Sequence, residues 1–466
     1  MALNPDRLLP IEAEARAVAR RLFAEVERLP IVSPHGHTEP EWYARNPAFP
    51  DPAALFVIPD HYIFRMLYSQ GVPLEALGVP RVDGGPVETD GRRIWQLFAA
   101  HYRLFRGTPS RLWFEHALET VFGIEERLSP ENADRLYDRI AGALGDEAMR
   151  PRALYDRFGI EAIATTDGAL DDLAHHDAIR ASGWHGRVVP TYRPDAVVDP
   201  DRPGFAAALD RLFDLTGEAE TWEGYLAAHR TRRAYFKARG ATATDHGHPT
   251  ALTADLATPD AAALFDTVRA GTADAAAREL FRAQMLTEMA RMSRDDGLVM
   301  QIHPGSVRNH NALLFQRFGF DKGADIPSRT DYVHALRPLL SVVGNDPSVT
   351  VIVFTLDEAA YSRELAPLAG HYPALRLGPP WWFFDSAEGM RRFREATSET
   401  AGIYNTVGFN DDTRAFLSIP ARHDVARRVD CAWLARLVSD GRLDEDEAHD
   451  MATDLAYRLA RDAYRL

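Results

Sequence analysis

A single cysteine, Cys431, stands in 466 residues. No intrachain disulfide and no cysteine-rich zinc or iron–sulfur site can form, so any metal must rest on histidine and carboxylate. Lysine is almost missing too: Lys237 and Lys322 are the only two. Arginine is therefore the ordinary surface cation here, and a lone arginine is weak evidence of a site. Positive charge is scarce overall, 53 basic against 68 acidic residues, for a net charge of -15. That balance argues against nucleic acid as a partner, but it leaves room for a small anion held by a few local arginines. No apolar run approaches the length of a membrane span. The first 20 residues carry Asp6, Glu12, Glu14, Arg16 and Arg20 and do not read as a secretory signal. There is no Gly-rich nucleotide loop, no internal repeat and no low-complexity segment. What remains is the profile of a soluble, cytoplasmic protein. Its length and 46% hydrophobic content suit one large domain with insertions, or two or three smaller ones.

The most informative stretch runs from residue 29 to residue 40. A short apolar run there ends in His35-Gly36-His37. On a strand, positions 35 and 37 share a face, and two imidazoles on one face can share a metal ion. The glycine between them adds no side chain to crowd it. The bland alternative is a turn with two exposed histidines.

Before this stretch, residues 11–28 carry an apolar stripe at helical spacing. After it, residues 38–151 read as helical without a good strand. Asp60 is placed to cap a helix that carries His61, Tyr62 and, one turn on, Arg65. Strands are then expected at 160–166, 187–193, 241–244, 297–303, 348–355, 374–377 and 403–407. The 348–355 run is the clearest of them. Helices are expected at 170–181, 205–216, 221–239, 259–292, 332–343, 358–368 and 387–397. With the first strand this gives eight strands, each followed by helical sequence, which is the rhythm of an α/β chain folded as a (β/α)8 TIM barrel. A doubly wound sheet is the main alternative. The expected organisation is an N-terminal helix and first strand over 1–37, a large helical insertion over 38–151, the rest of the barrel over 152–420, and C-terminal helices over 421–466.

Barrel sites lie at the C-terminal ends of the strands. There the expected strand ends bring His35, His37, Asp245, His303 and Asp412 to one face, and the first and eighth strands of a closed barrel are neighbours. Two or three imidazoles with one carboxylate suit zinc or another first-row divalent ion. Other readings stay open at this point. His303 would also serve as a core histidine, Asp412 as a helix cap before Arg414, and Asp245 as a turn residue. His175 and His176 read as surface or structural, and His246 and His248 as loop histidines.

With its His35-Gly36-His37, Asp60-His61-Tyr62 with Arg65, Asp245-His246-Gly247, His303 with Arg308 and Asn309, Trp381-Trp382-Phe383, and Asp412-Thr413-Arg414, the sequence resembles the uronate isomerase (glucuronate isomerase) family of the amidohydrolase superfamily. The resemblance spans residues 30 to roughly 430. It implies a metal-dependent (β/α)8 barrel that interconverts D-glucuronate with D-fructuronate, and D-galacturonate with D-tagaturonate, in hexuronate breakdown. It implies His35, His37 and Asp412 as ligands of one divalent ion, for which the donor set points to zinc, with His303 at the metal or beside it. It places Arg414 near the substrate, brings His61, Tyr62 and Arg65 in from the insertion, and makes Asp245 a polar residue of the pocket. Two departures stand out. Asp411 and Ala415 replace the family's usual residues on either side of Asp412 and Arg414. The segment from Ser418 to His423 has an extra residue and no tyrosine. The bridging lysine of two-metal relatives is absent, which favours one ion.

Aldose–ketose isomerisation moves a hydrogen between C2 and C1 and consumes no water. It needs a base close to C2 and stabilisation of the oxygen that gains charge. Asp412 or a group beside the metal is the candidate base. Tyr62, His61 and Asp245 are candidate proton carriers for the hydroxyls. A uronate carboxylate calls for an arginine fork, for which Arg65, Arg193, Arg308 and Arg414 are candidates. The aromatic segment Trp381-Trp382-Phe383-Phe384 is expected to wall the site near the seventh strand, with core packing as the alternative. The runner-up is a metal-dependent hydrolase of the same superfamily acting on a lactone or amide. A cis-enediol formed by proton transfer fits two polar faces better than a hydride shift, which the sequence leaves open, and a homo-oligomer is expected by analogy with other large barrels.

Overall fold

The computed structural model describes residues 3–466. Its centre is parallel β-sheet, and the first strand is the short apolar run that precedes the two histidines. Strand β1 (Ile31–Ser33) pairs with β2 (Ile160–Ala164), and β2 with β4 (Arg187–Val189). A two-residue step then carries both chains into a second sheet, as β3 (Asp167–Gly168) and β5 (Tyr192–Arg193). Pairing continues from β5 through β6 (Ala243–His246), β7 (Val299–Ile302) and β10 (Val351–Val353) to β11 (Leu375–Leu377). A small antiparallel hairpin, β8 (Ser306–Val307) with β9 (Ile326–Pro327), stands beside this sheet. All the other ladders are parallel, so each connection must cross back over the sheet, mostly by helices.

The eighth position is not the strand expected at 403–407. Among the described residues it is a single parallel bridge, Leu377 to Thr406. The cause is local. The Thr406 N–H and hydroxyl both donate to the Ile403 carbonyl, at 3.0 and 2.7 Å, and close a turn where an extended chain was expected. No ladder joins this position to β1. One backbone hydrogen bond, His37 N–H to the Thr413 carbonyl at 3.1 Å, spans the gap. The architecture is thus an α/β fold with eight parallel strand positions in order, without a continuous ladder around them. The 348–355 run also shortens, to Val351–Val353, because the Asp346 carboxylate accepts from the Ser348 N–H and holds its start in a turn. The helix expected over 259–292 is two, Thr258–Arg269 and Ala275–Asp296, parted at Gly271, whose φ of 69° suits glycine. The helix expected from 332 begins at Arg337.

Between β1 and β2 the described chain is helical and contains no strand. Its helices close on a core of their own, with Trp95, Phe98 and Phe105 fully buried. The Trp95 indole N–H is satisfied by the Ala133 carbonyl at 3.0 Å. This core includes Ile31 and Ile160, so the helical segment is packed onto the first two strands. The helix His61–Tyr68 starts where Asp60 caps it, the carboxylate accepting from the Tyr62 N–H at 2.8 Å. The C-terminal helix Ile419–Ser439 packs against the N-terminal helix Ala13–Val26 and reaches β1. Among the described residues, no helix is long and apolar enough to cross a membrane.

Away from the strand ends, the fully buried Arg233 guanidinium makes a two-point contact with Asp296, at 2.7 and 3.0 Å, and bonds Ser293. Arg233→Met removes the cation and leaves the partly exposed Asp296 unpaired. It should cost about 3 kcal/mol, the lower end for breaking such a pair. Urea unfolding followed by circular dichroism checks this, and a loss below about 1 kcal/mol would contradict it.

Candidate active site

Strand alternation decides which side chains meet. On β6, Ala243 and Asp245 face one side, and Thr244 and His246 the other. Asp245 is paired in register with Gln301 of β7, so His303, two residues further, projects toward the same side. His35 and His37 follow β1, with ring centroids 5.3 Å apart. His303 stacks between His35, at 4.7 Å, and Phe354, at 3.9 Å, and Trp381 stands edge-on to it. Asp412 follows the eighth position. Its Oδ1 lies 3.2 Å from His37 Nε2 and 3.6 Å from His35 Nε2. Its φ of 39° is left-handed, unusual for a residue with a side chain and costing on the order of 1 kcal/mol. The residues with which strand counting located the site therefore converge.

Two trios present ligand atoms within 4.8 Å of one another: His35, His37 and Asp412, and His35, Asp245 and His303. A tetrahedral ion with bonds of about 2.05 Å holds its ligand atoms about 3.3 Å apart, so the separations in the first trio suit an ion. In the second trio the carboxylate is engaged, since His303 Nδ1–H donates to Asp245 Oδ1 at 2.6 Å. That bond leaves His303 Nε2 buried with no partner, and His35 Nδ1 is likewise unpartnered. Buried polar atoms without partners are costly unless something binds them. The buried cluster can bind a metal.

Electrostatics favour ligation over protonation. Burial lowers the His35 pKa to about 3, against the pull of Asp245 and Asp412, so its imidazole is neutral. For Asp412, burial opposes ionisation, but the His37 hydrogen bond and the fields of His35, His37 and His303 outweigh it. The carboxyl stays well below its usual range. Asp245 is lowered too, with Arg193 and His303 overcoming its burial.

Around the cluster a cavity is lined by His61, Arg193, Ser306, Arg308, Asp321, Asp325, Leu356, Trp381, Trp382 and Arg414, besides the five residues above. Of the residues read from the sequence, His61, Arg193, Arg308, Trp381 and Arg414 line it. Tyr62 and Arg65 do not. Successive helical residues are about 100° apart, so a helix that turns His61 inward turns Tyr62 away. Tyr62 packs on Trp113, and its hydroxyl donates to the Trp382 carbonyl at 3.2 Å. Arg65 lies over the Phe383 ring at 4.8 Å. His61 packs at a tilt on Trp382, with ring centroids 4.3 Å apart, and both its ring nitrogens are buried without partners. Burial and the nearby Arg414 keep its pKa well below the ordinary value, so it enters the cavity as a neutral donor and acceptor.

Arg414 donates to Asp321 at 2.8 Å, while its Nε is buried and free. Arg308 pairs with Asp325 at 3.0 Å, and Arg193 is held by Asp195 at 2.8 Å and Asp245 at 3.4 Å. Asp321 and Asp325 were not anticipated. They sit in the loop between β8 and β9, where no periodicity marks a strand end. The one available signal was two aspartates among turn-forming residues. His246 is not a loop histidine but lies within β6, where it shares a 3.0 Å hydrogen bond with Thr244, whereas His248 lies in the loop after β6 as expected, and both are buried. His176 is buried against Thr165 at 2.9 Å, a structural contact.

A family profile for glucuronate isomerase matches residues 12–464. A uronate isomerase from Brucella canis is 69% identical over 466 residues, covering all of both chains. The crystal structure of glucuronate isomerase from Caulobacter crescentus superposes with a TM-score of 0.98 at 58% identity, over 100% of this chain and 97% of that one. A Lactobacillus casei chain assigned to the metal-dependent hydrolases covers 95% of this chain and 97% of its own with a TM-score of 0.54 at 13% identity, a likeness of fold alone.

Replacing His35 or His37 by alanine, or Asp412 by asparagine, should each reduce bound metal from about one ion per chain to a small fraction, since three protein ligands hold such an ion. Elemental analysis after dialysis against metal-free buffer measures this. Full retention in all three variants would contradict the assignment.

Proposed function

The chain belongs to the glucuronate isomerase family, enzymes that interconvert aldose and ketose uronates (EC 5.3.1.12), and we propose how its cavity carries out that reaction. Hexuronates are its substrates. The pairs proposed are D-glucuronate with D-fructuronate, and D-galacturonate with D-tagaturonate. One divalent ion, proposed to be zinc, is held by His35, His37 and Asp412, with His303 beside it or as a fourth ligand. The nitrogen and oxygen donor set supports zinc. When bound, the ion supplies Lewis-acid stabilisation to substrate oxygens.

The observation that carries the proposal is the balance of charge in the cavity. Arg193, Arg308 and Arg414 bring three formal positive charges, and Asp245, Asp321, Asp325 and Asp412 bring four negative ones. The sum is −1. A divalent ion makes it +1, which one sugar carboxylate neutralises. A neutral sugar would leave a buried charge uncompensated, and that is unfavourable.

Arg414 is the proposed grip on the C6 carboxylate, because among the arginines that line the cavity its Nε–H is the buried donor left without a partner. Arg308 flanks it. Asp412 is the proposed base at C2. Its Oδ1 is the oxygen near both histidines, so Oδ2 is the one available for the proton. Removal of the C2 proton with protonation of O1 gives an enediol, and delivery of a proton to C1 with loss of the O2 proton gives the ketose. His61, neutral and unpartnered, exchanges protons with the sugar hydroxyls, which also serves ring opening. Asp245 fixes the tautomer of His303 through its 2.6 Å bond. Trp381 and Trp382 close the apolar side and limit water, which an isomerase does not consume. Tyr62 and Arg65 act at a remove, as packing that sets the position of His61 and Trp382.

We further propose that the eight parallel strand positions form a closed (β/α)8 barrel. Their order and the His37–Thr413 bond across the gap support it. The helical segment 38–151 is proposed as an insertion that delivers His61 to the cavity. A homo-oligomer working in the cytoplasm completes the reading.

Arg414→Met should lower kcat/KM for glucuronate about 10- to 150-fold, the cost of a lost charge-assisted contact. It should lower turnover of the corresponding neutral aldose far less. Coupled assays of both sugars test this, and equal losses on the two would contradict the carboxylate role.

A further inference from the structure

We infer that Arg422 is a positioning residue that locks Asp412 in the backbone conformation from which it faces His35 and His37. The inference rests on the reading of Asp412 as a metal ligand. Arg422 is 1% exposed and lies in the first turns of the helix Ile419–Ser439. It bonds the backbone just before Asp412 and reaches the residue just after it through a side-chain hydroxyl. Nη1 donates to the Asp411 carbonyl at 3.1 Å. Nε donates to Ser418 Oγ at 3.2 Å, and Ser418 Oγ shares a 3.0 Å hydrogen bond with Thr413 Oγ1. The Thr413 carbonyl in turn accepts the His37 N–H at 3.1 Å. One planar guanidinium therefore brackets residues 411–413 and ties them to the histidine segment.

The bracketed residue is the one that needs it. Asp412 has a φ of 39°, a left-handed conformation that persists only where its surroundings impose it. Asp411 adds a second pin, its carboxylate bonding His423 at 3.1 Å. Arg422 is itself held from behind. It forms an ion pair with the buried Asp385, and its guanidinium lies 3.6 Å from the Trp113 ring centroid. The helical segment (Trp113), the loop after β11 (Asp385) and the C-terminal helix thus converge on the carbonyl before a proposed ligand. Neutralising Asp385 would need only a charge. The bonds to the Asp411 carbonyl and to Ser418 need the fork of an arginine, which lysine lacks.

The test measures zinc affinity of the full-length protein by competition with a chromophoric chelator, alongside kcat and KM for glucuronate at saturating zinc. The variants are Arg422→Lys, Arg422→Met and Ser418→Ala, with Asp412→Asn and Arg233→Met as references. Arg422→Lys keeps the charge beside Asp385, and Ser418→Ala removes only a hydroxyl, so both should fold even if Arg422→Met does not. Zinc should bind about 10- to 100-fold more weakly in the two Arg422 variants and several-fold more weakly in Ser418→Ala, as for residues that orient a ligand from behind. Restored by excess zinc, the variants should show a lowered kcat with little change in KM. Arg233→Met should melt earlier yet bind zinc as the wild type does. Wild-type affinity in Arg422→Lys and Ser418→Ala, with weakened binding in Asp412→Asn, would overturn the positioning role. Equal weakening in Arg233→Met would show a general stability effect and overturn it too. Wild-type affinity in Asp412→Asn would instead overturn the ligand reading on which the inference stands.

Discussion

Four carboxylates, three guanidiniums and four imidazoles share one cavity of this protein, and that concentration of charge is tolerable only if each group has a counterpart. Asp321 has Arg414, Asp325 has Arg308, and Asp245 has Arg193 and His303. Asp412 has only imidazoles. Burial keeps His35 neutral, so the carboxylate with no guanidinium beside it waits for a cation from outside the chain. A divalent ion meets that need and shifts the cavity to accept one anionic sugar. On the proposed reading, metal dependence and selectivity for a sugar acid are two consequences of the same deficit of positive charge.

The fold serves that arrangement in separable ways. Parallel strands in register bring Asp245 and His303 together from positions 58 residues apart. The helical segment between β1 and β2 builds its own core and turns a single side chain, His61, into the cavity. The C-terminal helix reaches back under Asp412. The isomerase chemistry needs little else from the protein: a base oxygen at C2, neutral donors for the hydroxyls, and a wall against water.

Much of this was legible in the sequence, for reasons that can be named. His35-Gly36-His37 carries its own periodicity, since positions two apart on an extended chain share a face. His303 and Asp245 were found because apolar runs mark strands and the residue at the end of a run is exposed to the site. The eighth strand was misread because Ile403 and Val407 are apolar for burial, while Thr406 closes a turn between them. Asp321 and Asp325 carry no pattern, because a loop between two-residue strands has no period to break. Tyr62 and His61 are neighbours in sequence, yet a helix parts them by about 100°, and only the packing decides which enters the cavity. Arg422 lay within the Ser418–His423 segment compared with the family, but its contacts to the Asp411 carbonyl and Ser418 come only from the packing.

The central claim is that this cavity moves a proton between C2 and C1 of an open-chain uronate. Conversion of D-glucuronate by the zinc-loaded protein in heavy water, followed by proton NMR, tests it most directly. The account predicts formation of the ketouronate with solvent deuterium entering at C1. Zinc bound at one ion per chain with no turnover of glucuronate or galacturonate would contradict it.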